Sequence, residues 1–592
     1  MRHERGMVRQ VSCGRCDGVT TRVVLTLACL LLIILVSESS RAQQGRFWIT
    51  FRDRGDQVRS LQDARLLGIT ERALWRRSKV LPGRNLVDEL DLPVNPSYIR
   101  ELRAAGITVR STSRWFNAVS AELTEEQQRV LSKLPYVASI APVGIFFRPQ
   151  PNPAPVSQPL LKLSGSAGLD YGASLTQLSN INVVDVHSAG ITGAGVIIGM
   201  LDDGFNQRKV HPALKNIKVI AEYDFVQRDS NTSRAPGEYL SQGNHGAGTL
   251  SVIGGNASGN LIGAAYGASF ILGKTEIDSV EIRLEEDLYV EGLEWVERLG
   301  ADVVSTSLGY NDWYVYSNFD GKTATTTKAA RIAARKGVLL VVAMGNEGNY
   351  QGGKTGTTGT MIAPADADSI VSVGAVSSTR RLASFSSTGP TADGRVKPEV
   401  VAQGVAVYSM YGEVGYNFGN GTSFATPLTA GVAALVLSAH PTFTPMQVRD
   451  RLMQTARALY DSSAGMVSHP NNFYGWGMVD AVKAVGISGS LVPDESLLPG
   501  QVVLRRNYPN PFNGSTTILV DASAEGAVEL SIYNLLGQRV RTLYSGKIRI
   551  GTNYFQWTNA LDDTGNPVAT GVYLCRLSAP GSISSQKILY VK

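Results

Sequence analysis

Strand-like apolar runs alternate with helix-like segments across residues 176–487, and this alternation restricts the fold more than any other feature of the chain. Runs such as GVIIGML (195–201) and VLLVVAMG (338–345) are rich in Val, Ile and Leu, and helical patterns such as LEEDLYVEGLEWVERLG (284–300) separate them. Strands that are apolar on both faces are typical of parallel sheets covered by helices. The pattern therefore predicts an α/β domain built from βαβ units.

The chain has 592 residues, too many for one core, because single cores stop growing near roughly 250–300 residues. Changes in composition and two stretches rich in Pro, Ser and Gly give the predicted boundaries. The predicted segments are a signal peptide (1–42), an α+β domain (43–147), a linker (148–175), the α/β domain (176–487), a second linker (488–500) and a β-sandwich (501–592).

The N-terminal segment has the pattern of a secretory signal peptide. Several arginines precede the apolar run VVLTLACLLLIILV (23–36), and Ser40-Arg41-Ala42 supplies a small-x-small cleavage site. The run is shorter than the roughly 20 apolar residues of a spanning helix. An uncleaved N-terminal anchor is the alternative interpretation, and Met7 is an alternative start because the basic region before the run is long.

Cysteine content and net charge exclude some classes of protein. Cys13, Cys16 and Cys29 lie in the segment expected to be removed, which leaves Cys575 as the one remaining thiol and predicts no internal disulfide. The net charge of +6 on this long chain is too small to indicate nucleic acid or an anionic membrane as the partner.

The two flanking domains have different strand patterns. In the N-terminal one, strands RFWITF (46–51), RWFNAVSAEL (114–123) and YVASIAPV (136–143) accompany helices ITERALWRRSKV (69–80) and TEEQQRVLSKL (124–134). Thr124 and Gln127 have the spacing of a capping box at the start of the second helix. In the C-terminal one, short strands separated by Gly, Asn and Asp turns predict an antiparallel β-sandwich.

Ser423 occupies an unusual place in the α/β domain. The stretch GNGTSFATPLTAGVAALV (419–436) is a glycine-rich turn followed by a long apolar helix, with Ser423 at the N-terminus of that helix. Unpaired backbone N–H groups and the helix dipole stabilise negative charge at such a position. The alternative interpretation is an ordinary N-cap serine.

Three further residues decide between these interpretations. A serine nucleophile requires a base, an orienting carboxylate and an oxyanion donor. Asp202 ends a strand, His245 lies between glycines before a helix-like run, and Asn346 follows another strand. Polar groups at the carboxyl ends of parallel strands lie where α/β sheets place their sites. The order Asp, His, Asn, Ser therefore predicts a nucleophilic hydrolase.

These segments resemble the subtilisin-type serine proteases, the peptidase S8 family. The aspartate, histidine and serine blocks are MLDDGFN (200–206), NHGAGTLSVIGG (244–255) and GTSFATPLTAGVAAL (421–435). The resemblance implies a subtilisin-like parallel sheet flanked by helices, and a secreted serine endopeptidase that acts on proteins or peptides. It implies catalytic roles for Asp202, His245 and Ser423, an oxyanion role for Asn346, and substrate binding by Ser307, Leu308 and Gly309.

The family resemblance extends to the flanking region and to cofactors. The α+β domain lies where the family carries its propeptide, which implies a zymogen that is cut within residues 145–180. An independent domain that stays attached is the alternative. The resemblance implies no cofactor for the chemistry but allows structural calcium, and carboxylates such as Asp366 and Asp368 remain unassigned. A monomer is expected.

Two positions depart from the family pattern. The residue after the aspartate is Asp203 instead of Ser or Thr. Because adjacent strand residues point to opposite faces, its side chain need not press on the His245 pair. Ala247 stands where the family has a threonine after the histidine. His211 is a rival base, whereas His187, His440 and His469 lack glycine neighbours and are expected at the surface.

The C-terminal domain has a resemblance of its own. The block NYPNPFN (507–513), with SIYNLLGQRVRTL (531–543) and KILYVK (587–592), is similar to type IX (Por) secretion sorting domains of type A. This implies passage through the periplasm, recognition by outer-membrane type IX secretion machinery, and a secreted or cell-surface location. A carbohydrate- or surface-binding module is the alternative for this domain. For the whole chain, the alternative is an inactive surface protein that binds peptides on a subtilisin scaffold.

Overall fold

The computed structural model describes most of the chain outside the N-terminal segment and the linkers. The described residues are 45–55, 63–81, 83, 85–143, 145–146, 169–278, 281–282, 284–349, 358–459, 469–487, 502–504, 507, 510–522, 524–549 and 551–591. The predicted signal peptide, the second linker and most of the first linker lie outside them. At the end of the predicted first linker, Tyr171 and Ser174 are buried.

The N-terminal domain is a four-stranded antiparallel sheet covered by helices, with strand order β2-β3-β1-β4. Its elements are β1 (Gly45–Phe51), α1 (Glu71–Ser78), α2 (Pro96–Ala104), β2 (Thr108–Ser113), β3 (Ala118–Leu123), α3 (Glu125–Leu131), β4 (Val137–Val143) and β5 (Ile145–Phe146). The predicted capping box is present, because Thr124 and Gln127 each accept the other's backbone N–H. The predicted strand 114–123 is shorter than expected, since its first four residues form a turn in which Asn117 has a φ of 48°.

The central domain is built on a parallel sheet of seven strands in the order β15-β14-β13-β12-β6-β10-β7, as the apolar runs predict. Its strands are β6 (Ile197–Asp202), β7 (Lys218–Asp224), β8 (Asn256–Ala257), β9 (Leu261–Ile262), β10 (Ser269–Lys274), β11 (Glu281–Ile282), β12 (Val303–Thr306), β13 (Leu339–Ala343), β14 (Val371–Val376), β15 (Val400–Gln403), β16 (Val407–Tyr411) and β17 (Gly415–Gly419). Its helices are α4 (Leu175–Asn180), α5 (Val183–Ser188), α6 (Asn244–Gly254), α7 (Leu284–Leu299), α8 (Thr325–Arg335), α9 (Thr422–Ala439), α10 (Pro445–Gln454) and α11 (Ala481–Val485).

Two hydrophobic clusters cover the two faces of this sheet. Helices α6 and α9 contribute to one cluster, and helices α7 and α8 contribute to the other. Among the described residues, α9 is long and apolar enough to cross a membrane by length and composition, but 83% of it is buried inside the domain. A helix that is apolar on all sides is typical of a protein core. The strand order reverses beside β6, so the carboxyl end of β6 borders a crevice suited to a site.

The C-terminal domain consists of two antiparallel sheets, β18-β19-β22 and β21-β20-β23-β24. Its strands are β18 (Val502–Leu504), β19 (Thr516–Ala522), β20 (Gly526–Tyr533), β21 (Arg539–Ile548), β22 (Gly551–Trp557), β23 (Gly571–Ala579) and β24 (Ser582–Tyr590). Phe512 from the Pro-Asn-Pro-Phe turn packs on Trp557 with ring centroids 5.4 Å apart. Cys575 lies in the same core, where burial raises the pKa of its thiol to about 12. That thiol is therefore protonated and unreactive at neutral pH.

Candidate active site

The carboxylate of Asp202 and the imidazole of His245 meet at the carboxyl edge of the parallel sheet. Asp202 is the last residue of β6 and is fully buried, and His245 is the second residue of α6. His245 Nδ1 donates a hydrogen bond to Asp202 Oδ1 at 2.6 Å. The His245 side chain is 35% exposed, so part of the ring is open to solvent. This is the arrangement expected of a general base held in one tautomer by a buried acid.

Two further donors hold the Asp202 carboxylate in place. The Thr249 hydroxyl donates to Oδ2 at 3.1 Å, and the Asp203 backbone N–H donates to Oδ1 at 2.9 Å. Thr249 lies one helical turn after His245 on α6, and that i,i+4 spacing is the sequence signal that could have identified it. Ala247, the departure from the family pattern, is buried in the core. The hydroxyl that binds Asp202 therefore comes from Thr249 and not from position 247, although both positions lie on α6.

The side chain of Asp203 lies beside the Asp202–His245 pair, and not on the opposite face that strand alternation would allow. Its carboxylate accepts the backbone N–H groups of Gly243 at 2.9 Å, Gly246 at 2.7 Å and His245 at 3.4 Å. β6 ends at Asp202, so strand alternation does not fix the direction of the next residue. Asp203 thus binds the unpaired N–H groups at the start of the helix that carries His245.

The clustered carboxylates shift the proton affinities of the site. Burial raises the pKa of Asp203 to about 8, and the charge of Asp202 acts in the same direction. Burial acts to lower the pKa of His245, but the charge of Asp202 and its hydrogen bond outweigh burial. Asp203 and Asp278 add to this effect, and the pKa of His245 is raised to about 9. The imidazole therefore holds its proton more strongly than a free histidine does.

Ser423 is the second residue of α9 and lies two positions after Gly421, whose φ of 144° favours glycine. Its hydroxyl donates to Ser307 O at 3.3 Å, and the Ser307 hydroxyl donates to Ser423 O at 2.8 Å. The ring of the next residue, Phe424, has its centroid 6.3 Å from that of His245. The structure therefore brings the serine segment beside the histidine, with the Ser423 hydroxyl in a rotamer that points to the Ser307 carbonyl.

Asn346 lies shortly after β13, and Thr422 fixes its side-chain amide through hydrogen bonds. The backbone N–H and the hydroxyl of Thr422 donate to Asn346 Oδ1 at 2.9 and 3.0 Å. Because a backbone N–H can only donate, the amide oxygen must face it, and Nδ2 is directed away from Thr422. Asn346 Nδ2 and Ser423 N each lie 3.6 Å from the point where a Cβ on Gly421 would be. Two N–H donors therefore border one small space. Sequence analysis did not identify Thr422.

Residues 307–309 continue from β12 along the same edge. Tyr310 pairs with Ala363 through two backbone hydrogen bonds, of 2.9 and 3.0 Å, which fix the end of the segment. A Cβ at Gly309 would lie 2.3 Å from Ile362 Cδ1, so a side chain is excluded there. On another part of the edge, β5 at the end of the N-terminal domain pairs in antiparallel fashion with β11.

The remaining histidines are engaged elsewhere. His211 is buried, its Nε2 donates to Gly415 O at 2.9 Å, and its Nδ1 accepts from Ala213 N at 3.1 Å. Both ring nitrogens are therefore used, and His211 is not positioned as a base. His187 is buried and not at the surface as expected, because Tyr171 and the Ala264 carbonyl satisfy its ring. Burial lowers the pKa of His187 to about 4.

The unassigned carboxylates have protein partners. Asp366 accepts the Gly321 N–H at 2.8 Å and the Thr327 hydroxyl at 2.5 Å. Asp368 accepts from Ser369 and pairs with Arg331 at 3.3 Å. Asp202, Asp203 and His245 offer ligand atoms within 4.8 Å of one another, but the hydrogen bonds described above already engage those atoms.

Comparison with known proteins identifies each folded part of the chain. The subtilase family (peptidase S8) matches residues 193–477, the peptidase S8 propeptide domain of Bacteroidota matches 46–154, and a secretion system C-terminal sorting domain matches 506–592. Subtilisin E of Bacillus subtilis (strain 168) is 32% identical over 379 residues, which cover 64% of this chain and 83% of that protein. Subtilisin of Bacillus pumilus is 34% identical over 307 residues, which cover 52% of this chain and 97% of that protein.

This chain belongs to the subtilase family. Both resemblances stated from the sequence are confirmed, and so are the subtilisin-like fold, the propeptide and the strand-rich C-terminal domain. The subtilase is a serine endopeptidase, and the chemistry of its subtilisin relatives needs no cofactor. The sorting domain indicates secretion to the cell surface or the extracellular space.

Two glycines of α6 provide a test of the Asp202–His245 contact in this subtilase. A Cβ on Gly246 would lie 2.2 Å from Gly204 O and 2.8 Å from Asp202 Cβ, whereas a Cβ on Gly248 would meet nothing closer than 3.7 Å. We expect Gly246→Ala to displace His245 from Asp202 and to lower kcat/KM about 100-fold or more. Gly248→Ala is the matched control and should leave kcat/KM within about twofold. Equal activity of the two variants would contradict the prediction.

Proposed function

We propose that this subtilase hydrolyses peptide bonds through an acyl-enzyme on Ser423, with His245 as the general base and Asp202 as its orienting acid. The observation that carries the proposal is the 2.6 Å hydrogen bond between His245 Nδ1 and a fully buried Asp202 carboxylate. That bond leaves Nε2 as the acceptor available to a hydroxyl. The segment of Ser423 lies beside the same ring.

The reaction begins with a change of the Ser423 rotamer. Rotation about Cα–Cβ releases the hydroxyl from the Ser307 carbonyl and turns it toward the imidazole. Ser423 Oγ attacks the scissile carbonyl carbon while His245 Nε2 takes the hydroxyl proton, and the imidazolium later gives that proton to the leaving amine. Asp202 stabilises the imidazolium. A water molecule then attacks the ester carbonyl while His245 Nε2 takes its proton, and the imidazolium gives that proton to Ser423 Oγ as the ester bond breaks.

The oxyanion is bound by two N–H donors. Asn346 Nδ2 and the Ser423 backbone N–H border the space above Gly421, which has no side chain to fill it. Loss of one side-chain donor to an oxyanion costs about 3–4 kcal/mol of transition-state stabilisation. Thr422 acts as a positioning residue, since its N–H and hydroxyl hold the Asn346 amide in the productive orientation.

The substrate is an extended segment of a protein or peptide. The backbone of Ser307, Leu308 and Gly309 is proposed to pair with it as an added strand. The pairing of β5 with β11 supports a zymogen, because the end of the propeptide already lies in antiparallel fashion along the catalytic domain. We propose that the chain is cut within residues 145–180 and that it passes through the periplasm to the type IX machinery.

A fluorophosphonate probe tests whether Ser423 is the nucleophile. We expect the purified mature chain to be labelled in an activity-dependent manner, because only an activated serine oxygen attacks such a phosphorus centre at neutral pH. Labelling and peptide hydrolysis should both be abolished in Ser423→Ala. Ser438→Ala, on the last turn of the same helix, is the control and should be labelled like the parent. A folded, processed parent chain that is not labelled would favour the peptide-binding alternative.

The pH dependence of kcat/KM tests the role of His245 as base. The base must be neutral to accept a proton, and its pKa is raised to about 9, so kcat/KM should rise with pH up to about that value. Asp203→Asn removes a carboxylate that raises this pKa, so the acid limb should move to lower pH. Asp229→Asn, on an exposed loop, should leave the limb in place. A limb that stays or moves upward in Asp203→Asn would contradict this assignment.

A further inference from the structure

Two adjacent arginines of the propeptide are buried at the boundary with the catalytic domain. Arg76 and Arg77 lie at the end of α1, and their side chains are 1% and 0% exposed. Arginine is almost never fully buried unless it is paired. Many of the groups that accept hydrogen bonds from these two guanidinium groups belong to the catalytic domain. The burial of the two arginines therefore depends on the contact between the two domains.

Arg76 binds the carboxyl ends of two catalytic-domain helices at once. Its Nη1 donates to Glu297 O at 2.9 Å and to Ala301 O at 2.7 Å, at the end of α7. Its Nε donates to Lys336 O at 3.2 Å, directly after α8. The last carbonyls of a helix have no partner within the helix, and they carry the negative end of the helix dipole. One guanidinium therefore satisfies carbonyls of both helices.

Arg77 completes a buried network of alternating charges. Its Nε and Nη2 donate to the two Glu297 carboxylate oxygens at 2.8 and 2.7 Å, and Arg76 pairs with the same carboxylate. Arg77 also donates to Asp91 of the propeptide at 2.8 and 2.9 Å, and Lys336 reaches Asp91 at 3.1 Å. Glu297 and Lys336 are thus each paired with a propeptide residue across the boundary.

The backbone around this network leaves room for α1. Gly337 has a φ of 91°, and a Cβ there would lie 3.1 Å from Arg76 O. Gly300 has a φ of 100°, and a Cβ there would lie 2.6 Å from Arg72 Cγ. Arg72 in turn pairs with Asp302 at 2.5 Å. The catalytic domain therefore approaches α1 closely at two loops.

The network lies at the opposite end of the sheet from the catalytic residues. Ala301 and Asp302 precede β12, and Lys336 precedes β13, whereas Ser307 and Asn346 follow the same strands. Strands of four to five residues at about 3.3 Å per residue separate the two ends by on the order of 15 Å. These contacts therefore lie at the edge of the sheet away from the catalytic cleft.

We propose that the catalytic domain carries a second binding site, the arginine socket, formed by Glu297, Ala301 and Lys336, which takes adjacent guanidinium groups. Its ligand is the Arg76-Arg77 pair of the chain's own propeptide, and the socket keeps the propeptide attached after the connecting chain is cut. The proposal rests on the maturation proposed above. The charge-assisted hydrogen bonds of the socket must all break before the two surfaces separate, which slows dissociation. Truncating one partner would leave the other buried and unpaired, and would speed the release of the cut propeptide.

The test uses the full chain after it has been cut. Denaturing gels establish whether the chain is cut, which tests maturation alone, and native size-exclusion chromatography after dilution measures how fast the propeptide leaves. We expect the dissociation rate to rise at least tenfold in Arg76→Met and in Arg77→Met. The control is Arg100→Met, on α2 of the same propeptide, whose guanidinium donates to Ser97 of its own helix. Its rate should match that of the parent.

Milder variants cover the case in which the methionine variants do not fold. Arg77→Lys keeps the charge but loses the planar fork, and Glu297→Gln removes the charge from the catalytic domain instead. Both should also release the cut propeptide faster than Arg100→Met does. Dissociation rates equal to the control in the folded variants would overturn the proposal. It would also be overturned if no socket variant gave a folded, cut chain, because the contacts would then serve folding before cleavage and not retention after it.

Discussion

The structure depends on the placement of one buried negative charge, the Asp202 carboxylate, against the imidazole of His245. A carboxylate without solvent must be met by donors, and this one is met by the imidazole, the Thr249 hydroxyl and the Asp203 N–H. β6 ends with Asp202 at the carboxyl edge of the sheet, and α6 carries both His245 and Thr249. The fold around the site can therefore be understood as the support for this contact.

Glycine and polar residues around that contact fix the positions of the groups that surround it. Gly246 permits the close approach of α6 to Asp202, and Gly421 leaves the space between the two N–H donors empty. Asp203 binds the first N–H groups of α6 and also raises the pKa of His245. Asp203 therefore contributes both to the position of His245 and to its proton affinity, beside the larger effect of Asp202 on the pKa.

Much of the fold and of the candidate site followed from local sequence patterns. Uninterrupted apolar runs identified the parallel strands, and glycine-flanked polar residues at their ends identified Asp202, His245 and Asn346. Residues that act through three-dimensional neighbours were missed: Thr249 and Thr422 depend on helix placement, and the direction of Asp203 depends on where β6 ends. The pairing of Arg76 with Glu297 joins residues 221 positions apart, which no local pattern predicts.

Helix α7 contacts both the propeptide and the central sheet. Its Glu294 accepts the Ser113 hydroxyl at 2.6 Å and the Arg114 N–H at 2.9 Å, and burial raises the pKa of Glu294 to about 7. Its Glu297 holds the arginine pair. One helix therefore presents a row of carboxylates to the propeptide, while β12, which follows it, leads directly to residues 307–309, the proposed substrate-binding segment.

The most direct test of the central claim is a crystal structure of the mature chain with Ser423 phosphonylated. We predict His245 Nδ1 still bonded to Asp202, and His245 Nε2 within about 2.6–3.2 Å of Ser423 Oγ or a phosphonyl oxygen, with another phosphonyl oxygen facing Asn346 Nδ2. An imidazole turned away from the phosphonylated serine, with no hydrogen bond to the adduct, would contradict the account.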